Sequence, residues 1–156
     1  MLVIIVADQA TKWWALNQLS PGESVELLGR FFMFTLVFNE GGAMGTNLGS
    51  STYYMISSAL ILLFVFYYMY ANRASKRVSI PLGFVAGGAI GNIIDRIRLG
   101  SVVDFIDVDF FNINFFGFSL ERWWTFNLAD AAISCAIVAL LIGAFLVKQH
   151  QLPPGE

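Results

Sequence analysis

Two aspartates lie at the edges of apolar segments in the second half of this chain. Asp104 lies in the stretch GSVVDFI and Asp130 in the stretch FNLAD. Since 57% of the residues are hydrophobic and only 13% are charged, a carboxyl group beside hydrocarbon is expensive and indicates function. Two carboxyls held close together tend to share one proton. The ionised one can take a proton from water while the other polarises a carbonyl, so the pair predicts a hydrolase.

The motifs that other classes of reaction require are missing from this sequence. There is no HExxH motif and the single histidine, His150, lies in the tail, so we expect no metal site. There is no phosphate-binding glycine loop and no basic stripe, and the formal net charge is −2. We therefore expect no cofactor and no nucleic-acid partner. Two weaker hypotheses stay open: a serine–lysine dyad that pairs Lys12 with Ser101 or a loop serine, and a purely structural polar network around the two aspartates.

Long apolar segments must position these residues. A helical span of a bilayer needs about 20 apolar residues, and segments 52–71, 78–96 and 126–147 meet this requirement. Segment 1–19 is a shorter candidate that carries Asp8 and Lys12 and ends near the interfacial pair Trp13-Trp14. The sequence therefore predicts one domain, residues 1–156, that is an α-helical integral membrane protein with four transmembrane helices.

Two shorter segments have the pattern of strands. Residues 31–38 form an aromatic-rich run of strand length, and residues 106–115 alternate with one slip at Phe110-Phe111. The alternation predicts a half-buried hairpin or bent strand at the membrane surface, with Asp107 and Asp109 solvated on its wet face. The short loop 72–77 carries three positive charges, which favours the cytoplasm for it. Segments 20–51 and 97–125 are then extracytoplasmic.

A count of four spans places the first and last connections on the same side of the membrane. Helical spacing puts polar residues of three spans on faces that can converge there. Several of them have simpler explanations: Asp8 with Lys12 as a local pair, Asp95 with Arg96 as an ion pair ending a span, and the glycines of segment 87–91 as close helix packing. The residues expected on this side are Asp8, Lys12, Asn39, Asn92, Asp95, Arg96, Asp104, Asn127 and Asp130.

Five blocks in order resemble the lipoprotein signal peptidase family, the type II signal peptidases of bacteria. They are DQATK at 8–12, NEGGAMG at 39–45, GGAIGNIIDR at 87–96, GSVVDFI at 100–106 and FNLAD at 126–130. Each block alone is weak, but five in order over nearly the whole chain are specific. Met44 stands where members usually have phenylalanine. Members also carry a longer first span, so we expect further residues before Met1 in the natural chain.

The resemblance implies an aspartic endopeptidase with four transmembrane helices, a small extracytoplasmic β-sheet that cradles substrate, and a short lid helix. Such enzymes remove the signal peptide of a prolipoprotein just before a cysteine that carries diacylglycerol. The resemblance places the catalytic pair on Asp104 and Asp130 and implies no metal or cofactor. It implies lipid-modified prolipoproteins and membrane lipid as partners, a monomer, and a bacterial inner-membrane location with an extracytoplasmic active site. Supporting or substrate-binding roles fall to Asn39, Gly41, Asn92, Arg96 and Asn127, with Asp8 and Asp95 as structural neighbours.

A small proton-coupled membrane transporter is the alternative from a different class, because transporters also keep carboxylates within their spans. The sequence disfavours it. Its polar groups crowd one surface instead of the middle of the membrane, and no paired half-repeats are evident.

Overall fold

The structure is a computed structural model that describes residues 1–42, 46, 49–109, 113–115, 118–120 and 122–151, with side chains up to 109 and over 122–146 only. Three features of the sequence lie outside this description: the slip at Phe110-Phe111, Met44 in the glycine-rich turn, and the side chain of His150.

Four helices form the body of the protein: α1 (Leu2–Gln18), α2 (Ser51–Ala71), α3 (Lys76–Leu99) and α4 (Leu128–Gln151). Among the described residues three are long and apolar enough to cross a membrane, namely α2, α3 and the part of α4 from Leu128 to Leu146. The first helix has 17 residues. The predicted four-helix membrane protein is confirmed, and every helix lies within a few residues of its predicted segment.

Helix α3 is the centre of the bundle and contacts the other three helices. Its glycines allow these contacts, because a Cβ at Gly88 would lie 2.6 Å from the carbonyl oxygen of Ala129 in α4. A Cβ at Gly87 would similarly lie 2.8 Å from the carbonyl oxygen of Met1. The expected role of these glycines in close packing is confirmed. The left-handed Gly100 (φ 76°) then ends α3 and turns the chain towards the sheet.

A three-stranded antiparallel sheet covers one end of the bundle, in the order β1 (Ser24–Leu28), β2 (Phe32–Asn39) and β3 (Val102–Val108). The run at 31–38 is a strand as predicted. Strand β1, in contrast, was not expected in the polar stretch before it. A separate two-stranded hairpin consists of β4 (Ile113–Phe115) and β5 (Phe118–Leu120). The predicted strand at 106–115 was therefore misplaced: β3 begins earlier, includes Asp104 and ends at Val108.

The prediction that Asp107 is solvated is wrong. Its exposed fraction is only 5%, because the side chains of Thr35 and Arg122 lie against it. The carboxylate pairs with Arg122 and accepts a hydrogen bond from Thr35 Oγ1 (2.8 Å). The side chain of Asp109 is about one-third exposed (34%) and lies 3.6 Å from Arg122.

Candidate active site

Asp104 lies near the start of β3 and is buried, with an exposed fraction of 2%. Two side-chain amides hold its carboxyl group. Asn127 Nδ2, just before α4, donates to Oδ1 (2.7 Å), and Asn39 Nδ2, at the end of β2, donates to Oδ2 (3.0 Å). The antiparallel register explains the second bond, since Asn39 pairs with Val102 and Val37 with Asp104. Three separate elements thus fix the orientation of this carboxyl.

Asp130 lies in the first turn of α4 and faces the same centre. Asn92 Nδ2 of α3 donates to its Oδ1 (2.8 Å), and the backbone N–H of Asn127 approaches its Oδ2 (3.4 Å). The Asp130 backbone N–H in turn donates to Asn127 Oδ1 (2.9 Å). This reciprocal pair three residues apart satisfies backbone donors at the start of α4, in the manner of an N-cap. A negative carboxylate is favourable there because of the helix dipole.

The side-chain amide of Asn127 links Asp104 to the backbone of Asp130. It donates to Asp104, while its carbonyl oxygen accepts from the Asp130 backbone. Burial, followed by the negative charge of Asp130, raises the pKa of Asp104 from its ordinary value of 3.8 to about 7, against the hydrogen bonds from Asn39 and Asn127, which lower it. Asp104 can therefore keep a proton near neutral pH while Asp130 stands close enough to act on it electrostatically. The arrangement has the parts of an acid–base pair.

A second group of charges lies directly behind the pair. Lys12 of α1 is 2% exposed, and its Nζ is 2.9 Å from Asp8 Oδ2, 2.8 Å from Asp95 Oδ2 and 2.8 Å from Asn92 Oδ1. Three acceptors match the three donors of an ammonium group. Lys12 is therefore fully committed to these contacts, which leaves the serine–lysine dyad without a base. Its bond to Asn92 connects it to Asp130.

The expected pairing of Asp95 with Arg96 is wrong. Neighbouring residues on a helix point in different directions, so Asp95 turns inward to Lys12, Gln9 and the backbone N–H of Val103. The expected pairing of Asp8 with Lys12 is present, but Asp8 also accepts from the backbone N–H of Ala129 (3.0 Å) in α4. The two aspartates thus tie α1, α3, α4 and β3 together.

Arg96 points in the opposite direction from Asp95, towards the segment after β2. Its Nη2 donates to the carbonyl oxygen of Gly41 (2.8 Å), and its guanidinium lies 5.9 Å from the ring centre of Tyr54. The backbone N–H of Gly41 donates to Asn39 Oδ1 (2.9 Å). Arg96 therefore supports the turn that carries Asn39. A cavity of about 430 Å³ opens beside it. The residues lining it are Val37, Phe38, Asn39, Glu40, Gly41, Gly49, Ser50 and Ser51.

The structure brings together all nine residues that sequence reasoning placed in the site. It also adds two that the sequence did not single out. Gln9 Nε2 donates to Asp95 Oδ1 (3.0 Å) and to the carbonyl oxygen of Gly91 (3.2 Å). Its position next to Asp8 in the DQATK block could have identified it from the sequence. Tyr54 beside Arg96 had no comparable signal. Within the described part of the chain, no cluster of three or more His, Cys, Asp or Glu side chains is arranged to hold a metal ion.

Comparison with known proteins gives a consistent result. The family model described as Signal peptidase (SPase) II matches residues 1–146. Among the similar relatives, the lipoprotein signal peptidase of Chlorobium phaeobacteroides is 39% identical over 142 residues, covering 90% of this chain and 89% of that one. The lipoprotein signal peptidase of Syntrophomonas wolfei is 37% identical over 142 residues, covering 90% and 87%.

A solved structure shares the fold. It is a bacterial membrane enzyme determined by the in meso method at 2.3 Å resolution, with a TM-score of 0.83 and 26% sequence identity. The match covers 99% of this chain and 90% of the other chain.

Proposed function

The chain belongs to the signal peptidase II family, and on that premise we propose that Asp104 and Asp130 are its catalytic pair. The protein is a membrane-embedded aspartic endopeptidase that removes the signal peptide of prolipoproteins, cleaving before the lipid-modified cysteine. The transporter alternative is not supported. The observation that carries the proposal is the position of Asn127, whose side-chain nitrogen donates to the Asp104 carboxyl and whose backbone N–H approaches the Asp130 carboxyl. One residue therefore holds both carboxyl groups.

In the proposed mechanism the two carboxyls share one proton. The ionised carboxylate takes a proton from water, the water oxygen attacks the scissile carbonyl, and the protonated carboxyl donates to the carbonyl oxygen as it becomes negative. Collapse of the tetrahedral intermediate then sends a proton to the leaving amine. Asn39 and Asn127 keep Asp104 oriented, and Asn92 does the same for Asp130. The cavity beside Asn39 and Gly41 is the proposed place of the substrate backbone.

The protein is a multi-pass membrane protein. We place it, as one domain over residues 1–156, in the bacterial inner membrane, with segments 20–51 and 97–125 and the active site on the extracytoplasmic side. The large apolar side chains exposed along α2 and α4, such as Leu60, Phe64 and Leu141, support contact with membrane lipid. The proposed active form is a monomer.

The first prediction concerns the substrate. Each buried methylene adds about 0.8 kcal/mol to membrane or lipid-site binding, so acyl chains should dominate the affinity for a diacylated substrate. We expect purified protein to cleave a diacylglyceryl-modified prolipoprotein much faster than the same polypeptide with an unmodified cysteine. The mass shift of the substrate in detergent or lipid measures both rates. Equal rates on the two substrates would contradict the proposed substrate form.

The second prediction concerns pH. Because the pKa of Asp104 is raised to about 7, this carboxyl loses its proton as the pH rises through neutrality and the pair becomes doubly ionised. Cleavage should therefore fall about tenfold per pH unit above about pH 7. The same group makes the free energy of unfolding fall as the pH rises from 3.8 to about 7 and adds no change above that. A cleavage rate that stays flat above about pH 7 would refute the shared proton.

A further inference from the structure

A polar cluster outside the active site crosses the whole sheet and has the buried Asp107 at its centre. It consists of Ser24 in β1, Thr35 in β2, Asp107 in β3 and Arg122, and is called here the Asp107 cluster. The hydroxyls of Ser24 and Thr35 are 2.8 Å apart, Thr35 Oγ1 donates to Asp107 Oδ2 (2.8 Å), and Arg122 Nε donates to Asp107 Oδ1. Burying a carboxylate costs several kcal/mol even when it is paired. Its presence where an apolar side chain would pack therefore requires a reason.

The first part of the reason is the register of β2 against β3. A β-bulge lies between Phe34 and Val37, where three steps along β2 oppose two along β3. Thr35 lies within this bulge and is held there by Asp107. Since a slip of one residue moves every side chain to the other face, the bulge decides which β2 residue faces the site. That residue is Asn39, which donates to Asp104.

The second part is the segment that leads into α4. Arg122 Nη1 donates to the carbonyl oxygen of Arg30 (2.7 Å), so this side chain ties the β1–β2 turn to β3. Four residues later Phe126 exchanges backbone hydrogen bonds with Ile106 (2.8 and 3.0 Å). Asn127 and Asp130 follow directly. The Asp107–Arg122 pair therefore anchors the chain just before the Ile106–Phe126 pairing. This pairing in turn brings Asn127 and Asp130 close to Asp104.

We propose that Asp107 is a positioning residue for the catalytic pair: through Thr35 it fixes Asn39 against Asp104, and through Arg122 it fixes the segment that delivers Asp130. This role rests on the proposed function. Alternation along β3 directs Asp107 to the face opposite to Asp104, so it does not touch the reacting groups. Its effect is on turnover, because misplacing a reacting group by about 1 Å can cost about 10²-fold in rate.

The test compares Asp107→Asn with Asp109→Asn, a matched control two residues away that faces the same arginine but is one-third exposed. We expect Asp107→Asn to lower kcat by about 10²-fold and to change KM much less, since Asp107 itself does not line the cavity beside Asn39 and Gly41. Asp109→Asn should keep the parental kcat. A purely structural role would lower the amount of folded enzyme and leave kcat per folded molecule unchanged.

Thr35 provides a second and milder pair of variants, in case Asp107→Asn does not fold. Thr35→Val removes the hydroxyl at constant size and should lower kcat, whereas Thr35→Ser keeps the hydroxyl and should restore most of it. In folded protein, Asp107→Asn combined with Thr35→Val should cost little more than Asp107→Asn alone, because the two act through one contact.

Parental kcat in folded Asp107→Asn or in Thr35→Val would overturn the positioning role, as would an effect confined to KM or an equal loss in Asp109→Asn. The parent and Asp104→Asn are assayed beside these variants on the diacylated prolipoprotein. Cleavage by the parent but not by Asp104→Asn keeps the proposed function whatever the Asp107 variants do. Failure of the parent to cleave would overturn both proposals.

Discussion

Asp104→Asn and Asp130→Asn are each expected to lose nearly all cleavage activity, by roughly 10²- to 10⁴-fold. Asparagine keeps the size of the side chain and most of its hydrogen bonding, but it cannot shuttle the proton. Each variant loses only its carboxyl function while Asn39, Asn92 and Asn127 stay in place. The measurement is the rate of signal-peptide release from a diacylated prolipoprotein, normalised to folded protein.

The double variant tests whether the two carboxyls work as one unit. If they do, Asp104→Asn with Asp130→Asn should cost little more than either change alone, since residues that act together are strongly non-additive. Asp109→Asn, in the same part of the chain but partly exposed, is the control for loss of an acidic residue. Substantial turnover by either single variant, in protein that elutes and melts like the parent, would place the catalytic pair elsewhere, with Asp95 as the next candidate.

Lys12→Met is expected to cause the largest loss of stability. Methionine has a stem of similar length, but it leaves Asp8 and Asp95 buried without the cation that lies 2.9 and 2.8 Å from them. Removing one partner of a buried ion pair costs about 3 to 5 kcal/mol in free energy of unfolding. For a protein of this size the thermal midpoint should fall by roughly 10 °C. Activity should fall as well, because Asn92 loses the bond that orients it towards Asp130.

The matched control is Lys76→Met, the same substitution at an exposed position in the first turn of α3. It should leave the thermal midpoint within about 2 °C of the parent, as expected for a surface change. Thermal unfolding in detergent, followed by scattering or intrinsic fluorescence, gives both midpoints. A Lys12→Met protein as stable as Lys76→Met would mean that the aspartates behind the active site are not held by this lysine.

The arrangement as a whole separates two tasks among five carboxyls, four of them buried and Asp130 partly buried. Asp8 and Asp95 hold helices together through one lysine, and Asp107 holds strands together through one arginine. Asp104 and Asp130 have no direct cation partner among the described ion pairs and are held by neutral asparagine amides instead. Amides orient a carboxyl without committing it to the ionised form, which a direct cation would favour. This difference is what suits the second pair to proton transfer.

The amino-acid sequence was enough to predict the helices and the side of the bundle where the polar residues of the candidate site lie. Long apolar runs have few alternatives to a spanning helix, since each backbone polar group must be satisfied internally in lipid. Polar residues are costly in such runs, so the positions of Asp104 and Asp130 were informative without any coordinates. The number of spans then predicted that these residues lie near one another, because with four spans the first and last connections lie on the same side of the membrane.

The partners of these residues and the burial of the strands, in contrast, could be seen only in the folded structure. Lys12 meets Asp95 from 83 positions away and Asp8 from four, whereas local spacing suggested Arg96 as the partner of Asp95. Asp107 lies in an alternating pattern typical of a solvated strand face, and it is buried because Thr35 and Arg122 lie against its side chain. Local pattern reports which side chains share a face. Which face is covered, and by what, depends on contacts between segments that are distant in the chain.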